Sequence, residues 1–599
     1  MHDVSQNPEN RERIDRLRPS VISVLHPEQI FGRPYRFANA AELLRQTRLL
    51  PALQVMAVLN AVSVDLDRLA SQNQKALTPH LGPLFAFLFA RHRLDRVVKA
   101  ATDLIVPAIA DGLGYFTPLS PWACSALTDG CLRFCSLGNF GADVWPPSQA
   151  DYFGRLILSF QRQMTPERDK RTGLDLDRLT EIQFSEFVRN QLHANPHRYS
   201  GKDMTRLYAL FEIPDVGAVL HARAHVTSQE WFKNIVGISA LEYRVLLVAL
   251  AATTMNFNLE QPSVRYLLFN VGQLIANMTP EAKQAFMRLN ALAVIDLRAL
   301  RVEPQPHTWA EALFKGNHLL RRQLFETAPG TYLVLDRNEY LNRFFHRLLH
   351  VLHAAAECQA GTRSPSRVRS DCGYLFEGYV QWWLKQLFGP STTYFFNHRL
   401  PDGKETDAIV MVGSTALVLE LNHHWLSLAE AYEATPARLA AVVSEDLGKA
   451  LHTSRVLAQD GIHKDGKLLI VDRIIPIAVL PEGLPIGDLT YATFKNQLQQ
   501  ILPELDGVLP KIGPCQVLSQ DHLEYFDRVW KLPEQGSQLV AYLIRRASTG
   551  YLRFGPLPLD VPQIPATHSG HTWGPLTDKA RSAFGESAKA FFSAESMDP

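Results

Sequence analysis

Lys404-Glu405-Thr406-Asp407-Ala408-Ile409-Val410-Met411-Val412-Gly413-Ser414-Thr415-Ala416-Leu417-Val418-Leu419-Glu420-Leu421-Asn422 holds two apolar, partly β-branched runs around one Gly-Ser step. Such a pair reads as a hairpin closed by a two-residue turn. In that register Val412 faces Thr415 and, counting back, Asp407 faces Glu420. Directly opposed residues share a face, with Cβ atoms about 5 Å apart. The runs are otherwise apolar at both parities, as in strands covered on both faces. Two carboxylates meeting there repel, and one pKa rises unless a cation stands between them. A divalent metal would supply that cation. Arginines from elsewhere in the chain would serve as well.

Outward from the hairpin, Cys372 to Phe388 has helical spacing with Val380, Trp383, Leu384 and Leu387 inward, and Gly389-Pro390 ends it. Thr393 to Leu400 reads as a strand before a turn at Pro401-Asp402-Gly403. Pro436 to Ala458 is a helix with Leu439, Val442, Val443, Leu447 and Leu451 periodic, and Ile474 to Leu480 is an apolar strand. The order is helix, three strands, helix, strand. Glu377 shares a stripe with Gly373, Val380 and Leu384. A carboxylate in such a stripe is rarely left unpaired. If its helix packs beside the hairpin, Glu377 becomes a third acid; otherwise it is a surface glutamate. Three carboxylates and water suit Mg²⁺ or Mn²⁺, hard ions that favour oxygen. Such an ion can activate water and neutralise charge on a phosphodiester.

Gly373-Tyr374-Leu375-Phe376-Glu377-Gly378-Tyr379-Val380, then Thr406-Asp407, then Glu420-Leu421-Asn422, resembles the PD-(D/E)XK nuclease superfamily over roughly residues 371 to 485. The resemblance implies an αβββαβ, restriction-endonuclease-like core. It makes Glu377 the helix glutamate, Asp407 the metal-binding aspartate and Glu420 the first acid of the (D/E)XK step. Glu377, Asp407 and Glu420 would then hold the metal. Glu445-Asp446-Leu447-Gly448-Lys449-Ala450-Leu451 resembles a Lys-Ala step on the second core helix. The family's lysine should stand at 422, where this chain has Asn422. A missing preorganised group of this kind costs on the order of 10²–10³ in rate. Lys449 is the first candidate for a migrated lysine and Lys404 the second, and Asn422, which can donate a hydrogen bond, is the other candidate to assist the water. His423 is a candidate base on the other face. The implied activity is that of a magnesium-dependent endodeoxyribonuclease. DNA is favoured over RNA, and a role in bacterial antiviral defence or repair follows by analogy. The alternative is a catalytically degenerate nuclease-like module that binds nucleic acid or scaffolds a larger assembly.

The remainder of the 599 residues sets the frame. Residues 1–325 carry mostly helical spacing, in Ala41–Leu59, Leu84–Ile109 and Leu241–Thr253, and form an expected region for recognition or protein partners. Short strands are expected at Ala293–Leu297 and Thr331–Leu335, and helix over Asp336–Ala356. The expected division is 1–325, a nuclease-like domain at 326–485, and a C-terminal extension at 486–599 whose tail after Pro556 is loosely held. The whole is an α/β, multi-domain chain. Net charge is +1, so nucleic acid must be met by local patches rather than a global field. Six sparse cysteines form no CxxC pair, which argues against a disulfide framework or structural zinc. Met1–Arg18 is polar and Val245–Met255 is too short to span a bilayer, so a cytoplasmic protein without membrane attachment is expected. His346, His350, His353 and Glu357 form one helical stripe, more simply a polar face than a metal site. Cys124, Cys131 and Cys135 read as small core residues, and Trp382 and Trp383 as core. Arg363, Arg367 and Arg369 fall in an apparent linker, Gly361–Ser370, from which they could grip phosphates. Glu405 either extends the acidic group or caps its strand.

Overall fold

In a computed structural model of the protein, the longer described stretches are residues 44–72, 121–137, 201–255, 263–274, 279–302, 322–344, 365–422, 436–464, 467–481, 488–507, 510–529, 536–547 and 572–595, with shorter pieces between them. The fold mixes helices with several small sheets, an α/β class. The chain forms two compact units, one of Met1–Tyr199, Val245–Leu348 and Phe591–Pro599, the other of Ser200–Arg244 and Leu349–Ala590.

In the first unit the helix Leu49–Gln72 packs on the helix Pro121–Phe134. Leu53, Met56 and Leu59 of the first helix and Cys124, Leu127 and Cys131 of the second are fully buried along this seam. Thiols act there as small hydrophobes. Asn60 crosses this seam, donating to Thr128 Oγ1 at 3.0 Å and to the Leu335 carbonyl at 2.8 Å. Leu49–Leu66 is apolar enough to cross a membrane, but 78% of it is buried in the fold, as in a core helix. Thr331–Val334 is the middle strand of a three-stranded sheet. Ala293–Leu297 departs from the strand expected there. Val294 makes one bridge to Leu324, and Asp296 Oδ1 then accepts the Arg298 and Ala299 N–H groups, capping a helix that starts at Leu297. The strands Arg168–Asp169 and Gly173–Leu174 also lie in this unit.

The second unit is built on a five-stranded sheet. Its strands are β1 (Thr393–Arg399), β2 (Glu405–Val412), β3 (Thr415–Leu421), β4 (Arg473–Leu480) and β5 (Gln516–Ser519), in the order β5-β4-β3-β2-β1. The first three form an antiparallel meander, and β3, β4 and β5 run parallel. Gly413 has φ 61, as the tight turn between β2 and β3 requires. Seven helices matter below: α1 (Gly201–Glu212), α2 (Pro214–Ala224), α3 (Pro365–Phe388), α4 (Pro436–Asp460), α5 (Gln520–Val529), α6 (Gly536–Ala547) and α7 (Trp573–Glu595).

The alternation along the hairpin sorts its residues onto two faces. Ala408, Val410, Leu417 and Leu419 join Phe376, Tyr379, Val380 and Trp383 of α3. Ile409, Met411, Ala416 and Val418 join Leu439, Val443, Leu447 and Leu451 of α4. Each fully buried aliphatic side chain contributes about 1.5–3 kcal/mol, so this double cover fixes the hairpin register.

Three segments of the second unit also differ from the sequence reading. Residues 365–370, read as linker, are the first turns of α3, because proline is tolerated in a first helical turn and Val368 is fully buried. Arg367 and Arg369 therefore stand on an exposed helix surface. Residues beyond 485, read as an extension, supply β5 to the same sheet. The tail after 556 contains α7, whose first N–H groups are held by the Asp527 carboxylate and whose Trp573 ring lies 5.7 Å from Trp383. His346, His350, His353, Glu357, Cys358, Arg363, His423 and the segment Leu84–Ile109 lie outside the described residues.

Candidate acidic site

Regular pairing stops at Asp407. The β2–β3 ladder runs from Thr415↔Val412 to Leu419↔Ala408 and goes no further. On the other side of β2, Phe396 pairs with Ala408 and His398 with Thr406, but Asn397 skips Asp407. Asn397 has φ 50, a left-handed conformation that asparagine tolerates better than most residues. β3 still follows β4 as far as Leu421↔Val479, and the Asn422 N–H donates to the Val479 carbonyl at 3.0 Å. The meander thus opens on one side while the parallel half stays closed.

The side chains at this opening replace backbone partners. Asp407 Oδ2 accepts the Leu421 N–H at 2.7 Å. Glu420 Oε1 accepts from Thr406 Oγ1 at 2.9 Å, and both residues are buried. The Asp407 and Glu420 carboxyl groups lie close enough for each to shift the other's pKa. Glu377, on α3, is 9% exposed, its Oε1 accepts from Gln381 Nε2 at 2.7 Å, and the Asn397 side chain is near enough to pull its pKa down. The left-handed turn at Asn397 therefore breaks the ladder beside Asp407.

Burial dominates the electrostatics. It pushes Glu420 up to about 8, with Asp407 adding repulsion. It pushes Glu377 up to about 7, again with Asp407 adding to the rise. Asp407 is raised by burial, against the Leu421 N–H and the Lys449 charge, which pull it down. A fourth acid, Asp446 on α4, is raised by burial to about 6 although Asn422 donates to it. The Asn422 Nδ2 to Asp446 Oδ2 distance is 2.6 Å.

Cations stand at the rim. Lys449 Nζ lies 2.8 Å from Glu445 Oε1 on an exposed stretch of α4, and its charge reaches Asp407, Glu420 and Asp446. Arg223, at the end of α2, pairs with Glu405, and its charge reaches Glu377. Lys404 is exposed beside Asp402 at 4.0 Å. Trp382 and Trp383 are core side chains.

The sequence-derived residues Asp407 and Glu420 are close enough to influence each other's charge. Glu377, Asn422 and Lys449 border them from α3, from the residue after β3 and from α4. Among the described residues, no three His, Cys, Asp or Glu side chains form a ready nest for a metal ion. Mg²⁺ does not need one. It keeps several waters and is commonly bound by one or two carboxylates together with substrate phosphates. The all-oxygen donors and the raised carboxyls fit that mode at Asp407 and Glu420.

Two residues escaped the sequence reading. Asp446 carried the signal used for Glu377, a carboxylate inside the apolar stripe of Val443, Leu447 and Ala450. Arg223 carried none, since a helix far upstream delivers it. No protein-family description, no curated protein and no solved structure matches the chain.

Proposed function

We propose that this chain is a metal-dependent nuclease of the PD-(D/E)XK type, hydrolysing phosphodiester bonds of DNA rather than RNA, with residues 365–480 as its αβββαβ core. The supporting observation is the closeness of Asp407 and Glu420 at the point where the meander opens, with Glu377 on α3 near enough to feel the Asp407 charge. In this reading Asp407 and Glu420 hold Mg²⁺ or Mn²⁺, and Glu377 acts as an outer acid. A bound ion would activate water and offset the charge developing on the phosphate. Thr406 and the Leu421 N–H fix the two carboxylates, so the site is preorganised. Lys449 supplies positive charge that Asn422 lacks. The first compact unit would provide target or partner contacts, and a defence or repair role rests on analogy with proteins of this core type.

The Asn422–Asp446 contact favours a second reading, in which the cleavage machinery has decayed and the module only binds nucleic acid. Supercoiled plasmid with Mn²⁺ separates the two. Wild type is expected to nick it, and Asp407→Asn to lose activity by a factor on the order of 10² or more. Asn422→Lys is expected to raise the rate. Equal signals from wild type and Asp407→Asn would establish the binding-only reading.

A further inference from the structure

We propose that Arg223 is a substrate-phosphate ligand, delivered to the acidic site by α2 and held beforehand by Glu405. The inference rests on the nuclease reading and adds to it a binding group from outside the αβββαβ core.

The delivery is built into the packing. Helices α2 and α3 touch backbone to backbone, and a Cβ at position 378 would lie 2.0 Å from the Val216 carbonyl oxygen. Only glycine permits that approach, and Gly378 directly follows Glu377. Two helical turns after Val216, Arg223 reaches the edge of the site. Its guanidinium pairs with Glu405, two residues before Asp407 on β2. The charges of Glu377, Glu405 and the Tyr374 hydroxyl all act on it.

The pair is placed for exchange rather than for stability. The Arg223 and Glu405 side chains are 42% and 45% exposed. Exposed ion pairs contribute about 0–1 kcal/mol, so a competing anion can displace Glu405 readily. A guanidinium fork binds a phosphate bidentately, which suits arginine over lysine. Lys449 acts on Asp407 and Glu420 from α4, on the opposite face of the sheet from α3. A phosphodiester lying over Asp407 and Glu420 would then have one cation from each side.

The test uses the full-length protein and a short fluorescein-labelled DNA duplex, with binding read by anisotropy in Ca²⁺ over a range of salt concentrations. Arg223→Gln is expected to weaken binding about tenfold and to lower the salt slope by about one. Glu405→Gln breaks the same ion pair but frees the guanidinium, and is expected to bind as tightly as wild type or more tightly. A tether that merely held α2 to β2 would make both variants equally weak, and that result overturns the proposal. Unchanged binding by Arg223→Gln, or no duplex binding by wild type, also overturns it. The plasmid assay reports on the nuclease reading separately. Binding through Arg223 without Asp407-dependent nicking would keep this contact and remove the nuclease. Nicking that is insensitive to Arg223→Gln, with unchanged binding, would do the reverse.

Discussion

Glu377 and Tyr379 sit two residues apart on α3, about 200° around the helix, and each looks into a different buried polar cluster. On the Tyr379 side, the phenol donates to Glu524 Oε1 at 2.7 Å, and Arg206 reaches both oxygens of the same carboxylate, Nε at 2.6 Å and Nη2 at 2.7 Å. Arg206 also pairs with Asp521. There a guanidinium from α1 is buried together with the acid it neutralises. On the Glu377 side, four acids with raised pKa values share two cations, and both cations stand at the exposed rim. The same helix is thus anchored by a matched charge pair on one side and borders a deficit of positive charge on the other. Burial is common to both clusters; what separates them is whether a cation was buried too. Among the described residues, the fold places an inward arginine at Glu524 and none at Glu420.

The largest effect expected from this contrast is at Arg206. Arg206→Ala strands the Glu524 charge in the interior, which costs about 3–5 kcal/mol, and thermal unfolding should show a drop of many degrees. A small change would mean that the two clusters are alike after all. Next comes Gly378→Ala. The added methyl forces α2 and α3 apart, at about 1–3 kcal/mol as for other overpacked contacts, and should weaken duplex binding through Arg223 as well. Unaltered melting would show that the helices do not touch there. The smallest and most informative effect is the pH dependence. Glu420 and Glu377 have folded values of about 8 and about 7, above the ordinary 4.5. Between those limits the folded state holds more protons than the unfolded state, so metal-free stability should fall as pH rises from about 5 to 8. Glu420→Gln removes one such charge and should raise the melting temperature at pH 8 by a few degrees, with little change at pH 5. A flat pH profile in wild type would abolish the distinction between the clusters.

Much of this was legible in sequence where the determinants are local. The Gly-Ser step and the parity of the two apolar runs gave the hairpin register, and with it the meeting of Asp407 and Glu420. The stripe around Glu377 placed it on the covered side of α3. What was not legible depends on distant contacts. Residues 365–370 look like a linker because proline, serine and arginine crowd together, yet burial of Val368 makes them helix. β5 has only four residues, and its Gln516 and Ser519 hide a strand that is buried throughout. The break at Asn397 follows from a backbone angle that the residue tolerates but does not announce. Arg223 belongs to a helix whose partner lies far along the chain.

The contact between Trp573 and Trp383, with the early helices α1 and α2 packed on the same α3, also bears on biosynthesis. Domains generally fold as units as the chain is made. Here α1 and α2 emerge well before α3, their partner, and the cover on α3 is complete only after α7 has left the ribosome. The second unit therefore cannot close until α7 has been translated, and the acidic site gains its full cover only then.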